Sequence, residues 1–321
     1  MNYDLFKHPI IEEVPILRVP YMGSKNSIAL QLLKKMLSIK PKAKYFVDLF
    51  GGGGSMSFAA LQLGMNVIYN EKQTSLVEFI KYIVDRVKRG ERGAYGLFPD
   101  EFYKFITRQE FIKLKDDPSI YGQFARICYS FANNQKDYLF NPDLERTKHL
   151  VHNIVIFKCE DSLKEFNDLS QSKIKFGYHL GWNERRLDFQ RQIRDRRQLA
   201  ELQQLERLQQ LEQLEQLERL QQLEQLEQLE LFNLDYQDVI ISTPDEETII
   251  YLDPPYRGTS KYLEEFDYSG LDDYFRSLPF KAFLSEYSAP FESVLEIEKA
   301  QLMDNTKEKR TYITEKLFIN E

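Results

Sequence analysis

Asp253-Pro254-Pro255-Tyr256 directly follows the apolar run TIIYL in this 321-residue chain. Each proline fixes its own φ and restrains the residue before it, so the backbone at this corner is stiff. A stiff corner can aim the Asp253 carboxylate and the Pro254 carbonyl at one NH2 group. Acceptors on both amino hydrogens localise the nitrogen lone pair and turn it towards an electrophile, which is catalysis by positioning and electrostatics. Tyr256 can lay its ring on the face of a base that carries the amine. The plain alternative is a strand-ending turn that happens to be aromatic.

A second stretch, Asp48-Leu49-Phe50-Gly51-Gly52-Gly53-Gly54, ends another short apolar run. Its glycines, Gly51 and Gly53 among them, permit a sharp turn and close backbone approach to a ligand ahead of a helix. The spacing fits neither GxGxxG nor GxxxxGK[ST], which disfavours a dinucleotide pyrophosphate or a nucleoside triphosphate. Glu71 stands twenty residues past Gly51, where a carboxylate can bind both hydroxyls of a ribose. A glycine turn and an acid without a phosphate cradle suggest an adenosyl ligand carrying no phosphate. A third stretch, Val19-Pro20-Tyr21-Met22-Gly23-Ser24-Lys25, opens the amphipathic run NSIALQLLKKML. A lysine in a first helical turn opposes the macrodipole preference, which makes sense if Lys25 faces an anion such as a ligand carboxylate.

Alternating strands and helices must position these groups. AKYFVDLF (43–50) and NVIYNE (66–71) read as strands, and 54–64 and 75–90 as helices. That β-α-β-α order begins a doubly wound parallel sheet. ETIIYLDPPY (247–256), KAFLSEYS (281–288) and YITEKLFI (312–319) are further strands. The expected fold is α/β, a Rossmann-like sheet domain from 1–90 and 236–321, with a mostly helical domain inserted at 91–235.

The net charge of −7 misleads until it is localised. Residues 199–230 hold eight Glu and two Arg, so nearly all the excess acid sits there. Residues 173–197 carry eight basic and three acidic side chains, Arg185, Arg186, Arg191 and Arg194 among the basic ones. Such a strip is either a solvated face or the footprint of nucleic-acid binding. Within 199–230 leucine recurs every third residue, and LERLQQLEQLEQ occurs twice, at 205–216 and 217–228. The composition favours helix, yet a three-residue step advances ~300° and slides the leucine stripe round the cylinder. The segment reads as a helical insertion projecting from a loop, or as an arm for self-association. On the first reading, deleting 205–228 leaves activity largely intact. Two cysteines without a CxxC pair point to a reducing, cytoplasmic setting and exclude a thiolate zinc site. His149 and His152 are three residues apart, a poor metal set, and no metal is expected. There is no secretory pattern at the N-terminus and no apolar window long enough for a membrane span.

Together the three stretches resemble the Dam-type DNA adenine methyltransferases of bacteria and phages. The resemblance runs in that family's order through YMGSK (21–25), VDLFGGGGS (47–55), YNE (69–71) and LDPPY (252–256). It continues in SFANNQKDYLF (130–140), Phe266-Asp267, LSEYS (284–288) and TEKLFI (314–319), and it omits the repeat. It implies an S-adenosylmethionine-dependent enzyme that methylates the amine of a flipped adenine in double-stranded DNA. Tyr21, Lys25, Glu71 and Asp253 would contact S-adenosylmethionine, and Asp253, Pro254 and Tyr256 would form the amine site. The domain between the glycine turn and DPPY would recognise the target. Asn133, Asn134 and Gln135 lie where the family's target-reading loop begins; they are base readers or solvated loop amides. Phosphate contacts would come from Arg185, Arg186, Arg191 and Arg194. The resemblance leaves room for a restriction endonuclease partner. The competing readings are transfer to another amine, or a non-catalytic DNA-binding scaffold on the same fold.

Overall fold

A computed structural model describes residues 16–175, 177, 179–195, 208–257, 266–300 and 312–320. The described residues separate into two compact units, one drawn from 1–18, 23–77 and 222–321, the other from 19–22 and 78–221.

The first unit is built on seven strands: β1 (Tyr45–Asp48), β2 (Asn66–Asn70), β3 (Leu229–Phe232), β4 (Thr248–Leu252), β5 (Ala282–Glu286), β6 (Glu292–Ala300) and β7 (Tyr312–Ile319). They lie in the order β3-β2-β1-β4-β5-β7-β6. The first five are parallel, and β7 runs antiparallel to both β5 and β6. All five residues of β4 and all five of β5 are buried; the absence of polar alternation is that of parallel strands covered on both faces. Val47, Ile250, Leu252, Ala282 and Leu284 from adjacent strands meet Leu271 and Phe275 of the helix Tyr268–Ser277 in one core. The helices α1 (Ala29–Ile39) and α2 (Ser55–Gln62) also belong to this unit. The chain builds outward from β1 through β2 to β3, then returns to the other side of β1 with β4. Such a reversal opens a crevice at the carboxyl ends of the central strands. Asp48 ends β1, and Asp253 follows β4.

The helix α3 (Thr74–Arg89) contains the division between the units. The second unit is helical: α4 (Arg108–Leu114), α5 (Ile120–Tyr129), α6 (Pro142–Phe157), α7 (Glu160–Ser170), α8 (Trp182–Asp195) and α9 (Gln209–Arg219). Local chemistry starts these helices. Thr107 and Glu110 form a reciprocal capping box at α4, and Asn141 caps α6 ahead of Pro142. Its core is aromatic, with Phe98, Phe102 and Phe124 in mutual contact. His149 stacks on Phe105, and the buried His152 ring bonds the Tyr103 carbonyl, so both histidines serve that core. Among the described residues no helix is long and apolar enough to cross a membrane, and no cluster of His, Cys, Asp or Glu could hold a metal.

The repeat departs from the expected projecting helix. Its first residues, 199–207, lie outside the described ones. From Leu208 to Leu229 every third residue is a buried leucine. The chain stays α-helical only through α9, then passes through the 3₁₀ turns Leu220–Gln222 and Leu226–Gln228 and ends as β3, hydrogen-bonded to β2. Within α9 the leucine stripe slides round the helix and stays buried because that helix also buries Gln210, Gln213 and Glu218. Beyond it a 3₁₀ turn holds three residues, so the three-residue step keeps one face there. These leucines are inside the chain, which leaves the described part of the repeat no stripe for self-association. Residues 229–232 accordingly belong to the sheet rather than to the inserted segment.

Candidate active site

Three elements of the sheet unit converge on one buried ion cluster. Lys25, just ahead of α1, is 3% exposed. Its Nζ donates to Asp253 Oδ1 at 2.6 Å, stands 3.4 Å from Glu315 Oε1 on β7, and also donates to the Gly23 carbonyl. The same ammonium lies 4.5 Å above the centre of the Tyr256 ring. The Tyr256 hydroxyl donates to Glu315, and the Tyr287 ring meets Tyr256 edge-on. Burial raises the Asp253 pKa; the Lys25 ammonium opposes that rise and the Glu315 carboxylate adds to it. Burial also pushes the Tyr256 phenol well up, so it acts as a neutral donor. The DPPY corner is thus braced from the far end of the sequence.

The glycine turn forms the neighbouring half of the site. A Cβ on Gly51 would fall 2.1 Å from the Tyr69 ring, so only glycine fits against β2 there. Gly52 and Gly54 adopt positive φ of 49° and 77°, and Tyr69 ties the turn down through a hydrogen bond to the Gly52 carbonyl. Glu71 receives the Gly52 amide at 3.0 Å and the Gln73 amide at 2.8 Å. Asn70 bonds the Leu49 carbonyl and both backbone groups of Leu234, and Asn233 bonds the Glu71 carbonyl. Phe50, Tyr236 and Phe266 stand ring to ring at 5.0–6.2 Å beyond the same strand ends.

Asp48 carries the sharpest electrostatic signal. It is 1% exposed; its Oδ2 accepts from Ser57 at 2.7 Å, while Oδ1 has no hydrogen-bond donor among the described residues. Burial raises its pKa to about 7, the Ser57 hydroxyl pulls it back, and the nearby Asp253 and Glu71 charges push it further up. In the folded protein Asp48 therefore holds its proton well above the ordinary carboxylate range. The folded state binds more protons than the unfolded one between pH ~4 and ~7, so this group's contribution to stability falls as pH rises through that window. Asp48→Asn removes the slope: its melting temperature should exceed the parent's by several degrees at pH 8 and converge with it near pH 4, as read by calorimetry without ligand.

Of the residues picked out from sequence, the first unit assembles Gly23, Lys25, Asp48, Gly51, Gly53, Glu71, Asp253, Pro254 and Tyr256 around these strand ends. Tyr21 falls in the stretch 19–22 that belongs to the second unit. The sequence alone assigns no role to Glu315, Tyr287, Asn70 or Tyr236, although TEKLFI, LSEYS and YNE carry the family likeness. TEKLFI was noticed there as a likeness, but nothing marked its glutamate as a partner for residues ~60 to ~290 positions away.

The arginines divide. Arg185 is buried, its guanidinium bonded to the Val155, Ile156 and Leu180 carbonyls, and burial lowers its pKa. Arg186 is also buried, and pairs with Glu212 and Glu215 of α9. Neither is available to a phosphate, which corrects the expectation for both. Arg191 and Arg194 are exposed. In the loop after α5, Asn134 receives the Lys136 and Asp137 amides, Gln135 meets Gln123, and Asn133 bonds Gln213. These amides shape the loop, while Phe131 and Lys136 are exposed on it.

A doubly wound sheet with a glycine turn at β1, an acid after β2 and a braced Asp-Pro-Pro-Tyr corner after β4 defines a methyltransferase of the adenosylmethionine-dependent fold. The chain matches the family model of the D12 class N6 adenine-specific DNA methyltransferases over residues 21–317, and it belongs to that family. No curated protein matches it.

Proposed function

We propose that this protein uses S-adenosylmethionine to methylate the exocyclic amine of an adenine flipped out of double-stranded DNA. The carrying observation is the Lys25 ammonium itself: a primary nitrogen rests on Asp253 Oδ1 at 2.6 Å and over the Tyr256 ring at 4.5 Å. An adenine amine stacked on Tyr256 needs the same acceptor and the same ring.

The residues present fit the cofactor. Asp48 Oδ1 is buried with no donor among the described residues, and a ligand's ammonium there would find an acceptor and at the same time favour the ionised carboxylate. Glu71 is held by backbone amides beside the glycine turn, suited to a ribose. Tyr236 and Phe50 offer an aromatic wall for a purine. When bound, S-adenosylmethionine supplies an electrophilic sulfonium methyl group. Asp253 and the Pro254 carbonyl take the two amino hydrogens of the target, and Tyr256 stacks on the base. The raised pKa of Asp253 suits it to hold the proton that the amine gives up. Admission of the base requires Lys25 to leave Asp253, and Glu315, already 3.4 Å away, is the carboxylate that can keep it.

The second unit would recognise the target, through the loop around Asn133–Gln135 and through phosphate contacts from Arg191 and Arg194. Unpaired Cys128 and Cys159 suit work in a reducing cytoplasm. Incubation with methyl-tritiated S-adenosylmethionine and unmethylated genomic DNA should place label in N6-methyladenine after nuclease digestion. Label in another base, or none despite bound cofactor, would refute the assignment.

A further inference from the structure

We propose that Gln213, a residue of the leucine repeat, sets target specificity by fixing Asn133 in the base-reading loop; the proposal rests on the loop assignment above and deepens it. The helix α9 packs on α5, whose final carbonyls lack intrahelical partners. Gln213 is 4% exposed and lies against two of them. Those carbonyls, Ile127 and Cys128, can only accept, so the Gln213 NH2 belongs on them, at 3.0 and 2.6 Å. The Gln213 carbonyl oxygen then accepts from Gln209 Nε2 at 3.3 Å and touches the Asn133 side chain. Two carbonyl oxygens cannot share a hydrogen bond, so Asn133 turns its NH2 towards Gln213 and donates. One buried side chain thus caps α5 and seizes the loop just beyond it.

That loop needs such a restraint. Ala132, Asn133 and Gln135 all have positive φ, at 50°, 58° and 59°. Non-glycine residues keep such conformations only where their surroundings impose them. With its NH2 engaged by Gln213, Asn133 retains Oδ1, an acceptor that no donor among the described residues occupies. A lone acceptor matches an exocyclic amine on a base edge, the N6 amine of adenine or the N4 amine of cytosine in the major groove. The Gln213–Asn133 contact therefore selects a base pair that presents such a donor.

Gln210 provides the control. It shares the buried face of α9, is 1% exposed, and neither of its amide atoms has a hydrogen-bond partner among the described residues. The probe is unmethylated genomic DNA, with modified adenines located by sequencing and rates compared at the preferred site and its one-base variants. Gln213→Leu should relax discrimination about tenfold at one position carrying adenine or cytosine, the effect of losing one base contact. Gln210→Leu should leave discrimination unchanged and raise the melting temperature. Gln213→Asn keeps an amide but is one methylene short of the loop, and it serves if the leucine variant does not fold. Asn133→Ala should relax the same position, and combining it with the Gln213 variant should add nothing further. If Asn133→Ala relaxes discrimination and both Gln213 variants do not, the proposal is overturned and the loop assignment stands. If Asn133→Ala itself discriminates like the parent, the loop assignment fails and the proposal with it.

Discussion

Asp253→Ala will slow methyl transfer to DNA by at least about 10²–10³-fold, the loss that follows removal of one preorganised hydrogen-bonding group at a reacting centre. The protein will remain folded, for a reason visible in the cluster. Removing one partner of a buried ion pair ordinarily strands the other. Here Lys25 keeps Glu315 and the Gly23 carbonyl, and Tyr256 keeps its hydrogen bond to Glu315. Asp253→Asn should be nearly as slow, because an amide accepts more weakly than a carboxylate and cannot hold the amine's proton. Circular dichroism and calorimetry control for folding, and equilibrium binding of S-adenosylmethionine controls for the glycine-turn half of the site. A folded, cofactor-binding Asp253→Ala protein that methylates at the parent rate would remove Asp253 from the chemistry.

Much of this site was legible because its geometry is written in local backbone chemistry. Glycine is the residue for the positive φ of Gly52 and Gly54, and the Pro254-Pro255 pair stiffens the corner wherever it folds. Apolar runs without alternation gave β1, β4 and β5 for the same reason: strands covered on both faces need no polar side. What was hidden depends on partners distant in sequence. Glu315 matters because antiparallel pairing of β7 with β5 sets it inside the sheet, beside a corner whose own residues say nothing of it. LELF reads as one more turn of a leucine-rich helix, and only the free edge of β2 makes Leu229–Phe232 a strand. Arg185 and Arg186 read as part of a basic surface strip because composition counts charges without saying which face they occupy. The helix end at Val155 and Ile156 requires donors, and Arg185 supplies them from inside.

Deleting residues 205–228 will prevent folding, the reverse of what the low complexity of that segment suggested. The deletion removes α9, which covers α5, and the two 3₁₀ turns that lead into β3. It removes Glu218 as well, a buried acid whose carboxylate takes the Leu97 amide at 2.8 Å and the Tyr103 hydroxyl. Those two donors would be left inside the aromatic core with no acceptor, each costing about 1–3 kcal/mol. A single substitution makes a finer test. Leu211 and Leu217 are both 0% exposed, and truncating either to alanine should cost about 2–5 kcal/mol, a large share of the roughly 5–15 kcal/mol that holds a domain folded. An ornamental insertion would show neither loss. Leu217→Ala melting within a degree of the parent, or a 205–228 deletion that remains soluble and methylates DNA, would mean the leucines contribute nothing to the core they line. The expectation here is the opposite, because the leucines from Leu208 to Leu229 are all buried through a helix, two 3₁₀ turns and a paired strand.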